Sequence, residues 1–177
     1  MACVPSTDPL LRLVEAAVEG DDVALAELVR RTQPGVWRLC AGLGSAGEEE
    51  DLVQETYLRA LKALAGFRGE APVQVWLLGI ARRVCADHVR RRQRQRRLVT
   101  RLILYAGDSF TRDPESVDEL MKTLDPDRRE AFVLTQVMGY SYVEAAAVID
   151  CPIGTVRSRV SRARNDLLAG VKRSQAQ

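Results

Sequence analysis

The side chains of this chain best suited to chemistry are guanidinium and hydroxyl groups crowded into one run, Gly154 to Arg164, GTVRSRVSRAR. Wound at roughly 100° per residue, Thr155, Ser158, Ser161, Arg162 and Asn165 fall on one face of a helix. Ile153, Val156, Val160, Ala163 and Leu167 fall on the other, with Arg157, Arg159 and Arg164 on the flanks. Such a face makes and breaks no covalent bonds. It donates hydrogen bonds to base edges and phosphate oxygens, and a helix of this kind fits the major groove. A solvated basic helix on an ordinary bundle has the same pattern, and spacing alone leaves both readings open.

Two further runs carry charge at useful density. Arg90 to Arg97 reads RRRQRQRR. It cannot be buried, and it either holds phosphates in a salt-dependent way or solubilises a helix end. Glu48 to Leu64 reads EEEDLVQETYLRALKAL, with Asp51, Gln54, Glu55, Leu58 and Arg59 off its apolar side. That face is either solvated or meets a basic protein. The carboxylates of Glu48 to Asp51 sit on successive residues, so they diverge around a helix instead of converging on a metal. Cys3, Cys40, Cys85, Cys151 and the single His88 have no metal-ligand spacing, so no metal, cofactor or catalytic centre is expected.

Charge alternates along the chain. Residues 1–79 are net −5, 80–112 net +8, 113–150 net −6 and 151–177 net +5. Two basic blocks separated by acidic ones suggest two contacts on one polyanion. The chain is 46% hydrophobic but only 5% aromatic. Its apolar residues are mostly Ala, Leu and Val, and no strand-like alternation appears, which favours helices. The N-terminus lacks a basic segment followed by an apolar run, and no stretch has transmembrane length, so a cytoplasmic protein is expected.

The elements that must position these groups follow from apolar spacing and helix stop signals. Helices are expected from Asp8-Pro9 to Glu19, from Val23 to Leu43, from Glu48 to Leu64 and from Val73 to Arg97. Leu10, Leu13, Val14, Ala17 and Val18 face inward in the first. Leu25, Leu28, Val29, Val36, Trp37 and Cys40 do so in the second, where Pro34 predicts a kink or a restart. Leu52, Val53, Tyr57, Ala60, Leu61 and Leu64 do so in the third. Leu98 to Ser116 reads as a linker, followed by a short helix over Glu115–Leu124 and one over Asp127–Met138 packing through Phe132, Leu134, Val137 and Met138. Ser141 and Glu144 form a capping box at the head of Tyr142–Ile149, whose inward residues are Val143, Ala146 and Ala147. Asp150-Cys151-Pro152 stops that helix, and Pro152 suits the first position of the next. The expected fold is therefore all-α, with two small helical domains joined by a flexible linker. Their bounds are 8–97, 98–114 (linker) and 115–172.

Taken together, DLVQETYLRALKAL, FRGEAPVQVWLLGIARRVCADHVRRRQR and GYSYVEAAAVIDCPIGTVRSRVSRAR resemble, in order and separation, the extracytoplasmic-function (group 4) sigma factors of bacterial RNA polymerase. The resemblance covers nearly the whole chain. It implies a protein that binds core polymerase and directs initiation at promoters bearing −10 and −35 elements. Asp51, Gln54, Glu55 and Leu58 would dock on the β′ clamp helices. Phe67, Arg68, Trp76, Arg82, Arg83, Asp87, Arg90 and Arg91 would read, open and hold the −10 element, where a flipped base of the non-template strand sits in a pocket. Thr155, Arg157, Ser158, Arg159 and Arg162 would read a −35 element containing AAC. The β flap is a further implied contact, and the linker would thread toward the active-site cleft. Many members are held by an anti-sigma factor, and the resemblance leaves such a partner open here.

The chain departs from the family at Ala71-Pro72, Gln74-Val75 and Arg83, so no −10 base is implied. The alternative class is a helix-turn-helix regulator that binds DNA without polymerase. A helical adaptor that binds only protein is a third, disfavoured by the arginine-rich runs.

Overall fold

A computed structural model describes residues 8–103 and 117–174, with side chains described for 8–95 and 120–173. The described residues form helices and turns with no strand, in the order α1 (Leu11–Val18), α2 (Asp22–Leu43), α3 (Glu49–Leu64), α4 (Val73–Ile103), α5 (Val117–Thr123), α6 (Pro126–Phe132), α7 (Tyr142–Ile149) and α8 (Ile153–Ser174). They fall into two compact units that meet at Ala86 and Asp87, within α4. The helix expected to stop at Arg97 runs on to Ile103; the remainder of the expected linker lies outside the described residues.

In the first unit α1, α2, α3 and the first half of α4 enclose a core of Leu28, Val36, Leu39, Leu52, Leu78 and Ala81. Of the kink or restart expected at Pro34, the restart does not occur: α2 is continuous from Asp22 to Leu43. Arg30 and Pro34 are both exposed, so the carbonyl abandoned by the missing proline N–H faces water. Several inward assignments are overturned. Val18, Trp37 and Leu61 are exposed, while Thr32, Leu39 and Thr56 are buried. The two threonines can be buried because their hydroxyls have partners. Thr32 Oγ1 donates to Leu28 O at 2.8 Å and lies 2.8 Å from Tyr57 Oη, and Thr56 Oγ1 donates to Leu52 O at 2.6 Å. Burial pushes the Tyr57 phenol up, partly offset by Thr32. Cys40 and Cys85, distant in sequence, are hydrogen-bonded neighbours in this core, and Cys85 draws the Cys40 thiol below its ordinary range.

The head of α4 is held from far away. Asp8 Oδ2 accepts the Val73 N–H at 2.7 Å across 65 residues, while its Oδ1 accepts the Leu10 N–H at 2.9 Å. One carboxylate thus ties the turn before α1 to the first residue of α4, satisfying a Val73 N–H that has no partner inside its own helix.

The second unit packs α5, α6, α7 and α8 around Leu134, Val133, Ala131, Val156, Val160 and Ala163. Asp125 caps α6 by accepting from the Asp127 and Arg128 N–H groups, as its position before Pro126 predicts. The helix expected to reach Met138 changes character after Phe132. Val133–Val137 form a π-helical turn, closed by Met138 N donating to Val133 O at 2.9 Å. Val137 is exposed there, against expectation. No helix of the described residues is long and apolar enough to cross a membrane.

Candidate nucleic-acid interface

The pair α7–α8 is built as the capping signals require. Glu144 N donates to Ser141 Oγ at 3.2 Å, and Ser141 N donates back to Glu144 Oε2 at 2.8 Å. The buried face of α7 is Ala145, Ala146, Val148 and Ile149; Val143 and Ala147 are exposed, which corrects the expected stripe. Asp150 takes a left-handed φ of 59° and ends α7, with Cys151 N bonding back to Ala146 O at 3.2 Å. Pro152 stands just before α8, its carbonyl accepting from Thr155 N at 2.9 Å and Val156 N at 3.3 Å. Val156, Val160 and Ala163 then enter the core, while Ile153 stays exposed and Leu167 half-buried. Burying two valines contributes about 1.5–3 kcal/mol each, enough to fix which face of α8 looks outward.

Ser158, Ser161, Arg162 and Asn165 are exposed together, as expected, joined by Arg157 from the flank, while Thr155 of the expected face is half-buried. The structure separates the arginines of α8 into two kinds. Arg159 is half-buried, ion-paired with Asp127 of α6, and 3.9 Å from Cys151 Sγ. Arg164 donates to Gln136 Oε1 at 2.5 Å. A third cross-brace runs the other way, from Arg128 to Asp166 at 2.6 Å, and Asp166 holds that guanidinium above its ordinary range. Arg157 and Arg162, by contrast, point outward; the Arg157 guanidinium rests 5.9 Å from the centre of the Tyr142 ring, a cation–π contact that orients it. Ser158 Oγ donates to Thr155 O at 2.9 Å, so its lone pairs are what it offers to a ligand. Tyr142 and Asp127 were not among the sequence-selected residues. Their part is visible only once α6 and α7 are seated beside α8.

On α3 the residues Asp51, Gln54 and Leu58 form one exposed strip, and Leu61 extends it. Leu58 is 48% exposed and Leu61 42%. The spacing of Leu61 from Gln54 and Leu58, seven and three residues on, was the signal that it shares their face. Glu55 is half-buried at the strip's edge and bonded to Arg59 at 2.7 Å.

Between α3 and α4 the loop Ala65–Pro72 carries Phe67 and Arg68. The Phe67 ring meets Trp76 of α4 with centroids 5.0 Å apart and planes tilted by 49°. Both rings are half-buried, so an aromatic surface remains accessible; Arg68 beside it is exposed. Further along α4, Arg82 is half-buried and Arg83 exposed. Asp87, Arg90 and Arg91 follow on the same helix, beyond the boundary between the units, with Asp87 4.0 Å from Arg90. An aromatic pair flanked by guanidinium groups suits unstacked bases and a phosphate backbone.

Comparison with known proteins places these surfaces in a family. Residues 28–95 match the model of Sigma-70 region 2, and residues 115–167 that of Sigma-70 region 4. The chain is 42% identical over 174 residues to the ECF RNA polymerase sigma factor SigC of Mycobacterium tuberculosis, covering 95% of this chain and 94% of that protein. It is 34% identical over 170 residues to the ECF RNA polymerase sigma-E factor of Escherichia coli, covering 86% and 88%. Among solved structures it is similar to CnrH in complex with the cytosolic domain of CnrY, with a TM-score of 0.70, 29% identity and coverage of 90% and 95%. It is also similar to the sigma factor RpoE in complex with the anti-sigma factor NepR from Bartonella quintana, with a TM-score of 0.64, 28% identity and coverage of 84% and 96%.

Proposed function

The chain belongs to the extracytoplasmic-function branch of the sigma-70 family, and from that premise we propose how its helices divide the work of starting transcription. It is a sigma factor that directs promoter-specific initiation by core RNA polymerase. The exposed strip Asp51, Gln54 and Leu58, with Glu55 at its edge, docks on the β′ clamp helices. Phe67, Arg68 and Trp76 receive the unstacked −10 strand, with Arg82, Arg83, Asp87, Arg90 and Arg91 along its backbone. Arg157, Ser158 and Arg162 read the −35 element beside Thr155, and Arg159 joins them at the cost of its bond to Asp127. Residues 8–97 and 115–172 act as separate domains connected by 98–114. The chain works by binding alone, without catalysis or cofactor, in the cytoplasm. The β flap is its second polymerase contact, and a partner of the anti-sigma class, like the one bound to the Bartonella relative, is able to withhold it from polymerase.

The observation that supports this division best is the sorting of α8: its apolar residues are buried and several of its cations are braced, yet Arg157, Ser158 and Arg162 remain presented together. The test is run-off transcription from genomic fragments with purified core polymerase, with and without this protein. New start sites sharing −10 and −35 elements at fixed spacing are expected. Tight duplex binding in the absence of core, with no new starts, would instead mark a stand-alone regulator.

A further inference from the structure

We propose that Asp8 is a positioning residue for −10 recognition. Its carboxylate fixes the start of α4, and so the loop Ala65–Pro72, where the unpaired strand is received. The inference rests on the sigma reading above and adds to it a residue outside every surface assigned there.

The loop has two ends and a middle, and each is held differently. At its first end it hangs from α3, with Gly66 N donating to Ala63 O at 3.0 Å and Phe67 N to Leu64 O at 3.0 Å. In its middle, Gly69 turns through a φ of 67°, and Leu11 Cδ1 lies 3.9 Å from where a side chain on that glycine would begin. Its last end runs into α4, whose ladder opens with Trp76 N donating to Pro72 O at 3.0 Å. The Val73 N–H precedes that ladder, and Val73 is fully buried, so water does not replace a lost partner. Asp8 Oδ2 supplies that partner at 2.7 Å. The charge sits at a helix entrance, where the peptide dipoles favour an anion. Asp8 and Leu11 together make the start of α1 a strut under the loop. The Phe67 ring, tilted against Trp76 just beyond Val73, inherits its position from both sides.

Asp8→Asn removes the charge and one of the two acceptor oxygens. An amide offers one acceptor oxygen to two N–H donors, so either Val73 or Leu10 is orphaned whichever way it is turned. Val73→Pro removes the same bond from its other end, at a helix position that tolerates proline. The assay uses holoenzyme reconstituted with full-length protein and three probes: core polymerase, −35 duplex, and the single-stranded non-template −10 segment of a promoter used by the wild type. Each variant is expected to bind the −10 strand about tenfold more weakly, the scale of one charge-assisted hydrogen bond. The double variant is expected to lose no more than either single one, because the bond is lost only once. Core and −35 affinities are expected to stay within twofold. Wild-type −10 affinity in Val73→Pro would overturn the proposal, as would a parallel fall in all three affinities, the mark of a merely structural role. Failure of the wild-type holoenzyme to bind the −10 strand at all would overturn the sigma reading itself.

Discussion

Asp127→Asn is expected to strengthen binding of −35 DNA, although it deletes a bond from the DNA-facing unit. In the free protein Arg159 of α8 is ion-paired with Asp127 of α6. The Arg159 side chain is 22% exposed and that of Asp127 60%, so the pair is largely solvated and contributes only about 0.2–1 kcal/mol. A phosphate competing for Arg159 must overcome that amount. Removing the competitor should raise affinity by the same energy, about 1.5- to 5-fold. Because Arg159 reaches the DNA in both proteins, the slope of log K against log salt should stay nearly the same. The assay is fluorescence anisotropy of holoenzyme on −35 duplex over a salt series. Asp150→Asn is the control: it removes the same charge from the same unit but leaves Arg159 paired, and asparagine tolerates the left-handed φ of 59° found there. A gain no larger than in that control, or a loss, would refute the reasoning and make Asp127 a simple brace.

Three other outcomes are expected. Arg162→Ala, at an exposed position on the presented face, should weaken −35 use by about 1–3 kcal/mol and relax base preference at one position; an equal loss on scrambled DNA would mark a phosphate contact instead. Asp51→Ala with Glu55→Ala should lower core affinity in a pull-down titration while the urea midpoint stays nearly constant, since the Glu55–Arg59 bond it removes is an exposed helical pair contributing about 0.3–0.5 kcal/mol. Thr32→Val should destabilise the first unit by about 1–2 kcal/mol in urea unfolding, because the buried face of Tyr57 then loses its 2.8 Å partner; −35 binding by the second unit should be unchanged.

What the sequence made legible was local. The capping box of Ser141 and Glu144, the Asp125-Pro126 entrance to α6 and the middle of α8, with Val156, Val160 and Ala163 inward and Ser158, Ser161 and Arg162 outward, are set by residues within a turn or two of each other and are found where spacing placed them. Faces of alanine-rich helices were not legible. In Tyr142–Ile149 small residues occur on every side, so the identity of the buried ones is decided by how α6 and α8 approach; Ala145 and Val148 are buried and Val143 is not. Hydrophobicity also misled where exposed apolar surface is retained, as at Trp37 and at Leu61, which extends the polymerase-facing strip proposed for α3. Pro34 does not restart the helix because, on the wet side of α2, its missing bond is cheap. Of the site, the cations were legible but their sorting was not. Nothing near Arg159 in sequence announces Asp127, and nothing near Val73 announces Asp8.

The π-helical turn at Val133–Val137 bears on how this chain is compared with others. Each such turn accommodates one residue more than an α-helix spanning the same path, without opening a loop. The turn ends before Gly139, ahead of α7 and α8. A relative whose corresponding helix is plain α would align cleanly on either side and disagree in the middle, and a gap put into the α7–α8 turn to repair it would misassign every position of α8. Chimeras that graft α7 and α8 onto another member's preceding helix should therefore be joined at Gly139 rather than within 133–137. A single deletion inside that stretch should restore plain α-helix over the same path and leave α7 and α8 in register, whereas a deletion elsewhere in α6 should turn the following segment by about 100° about the helix axis.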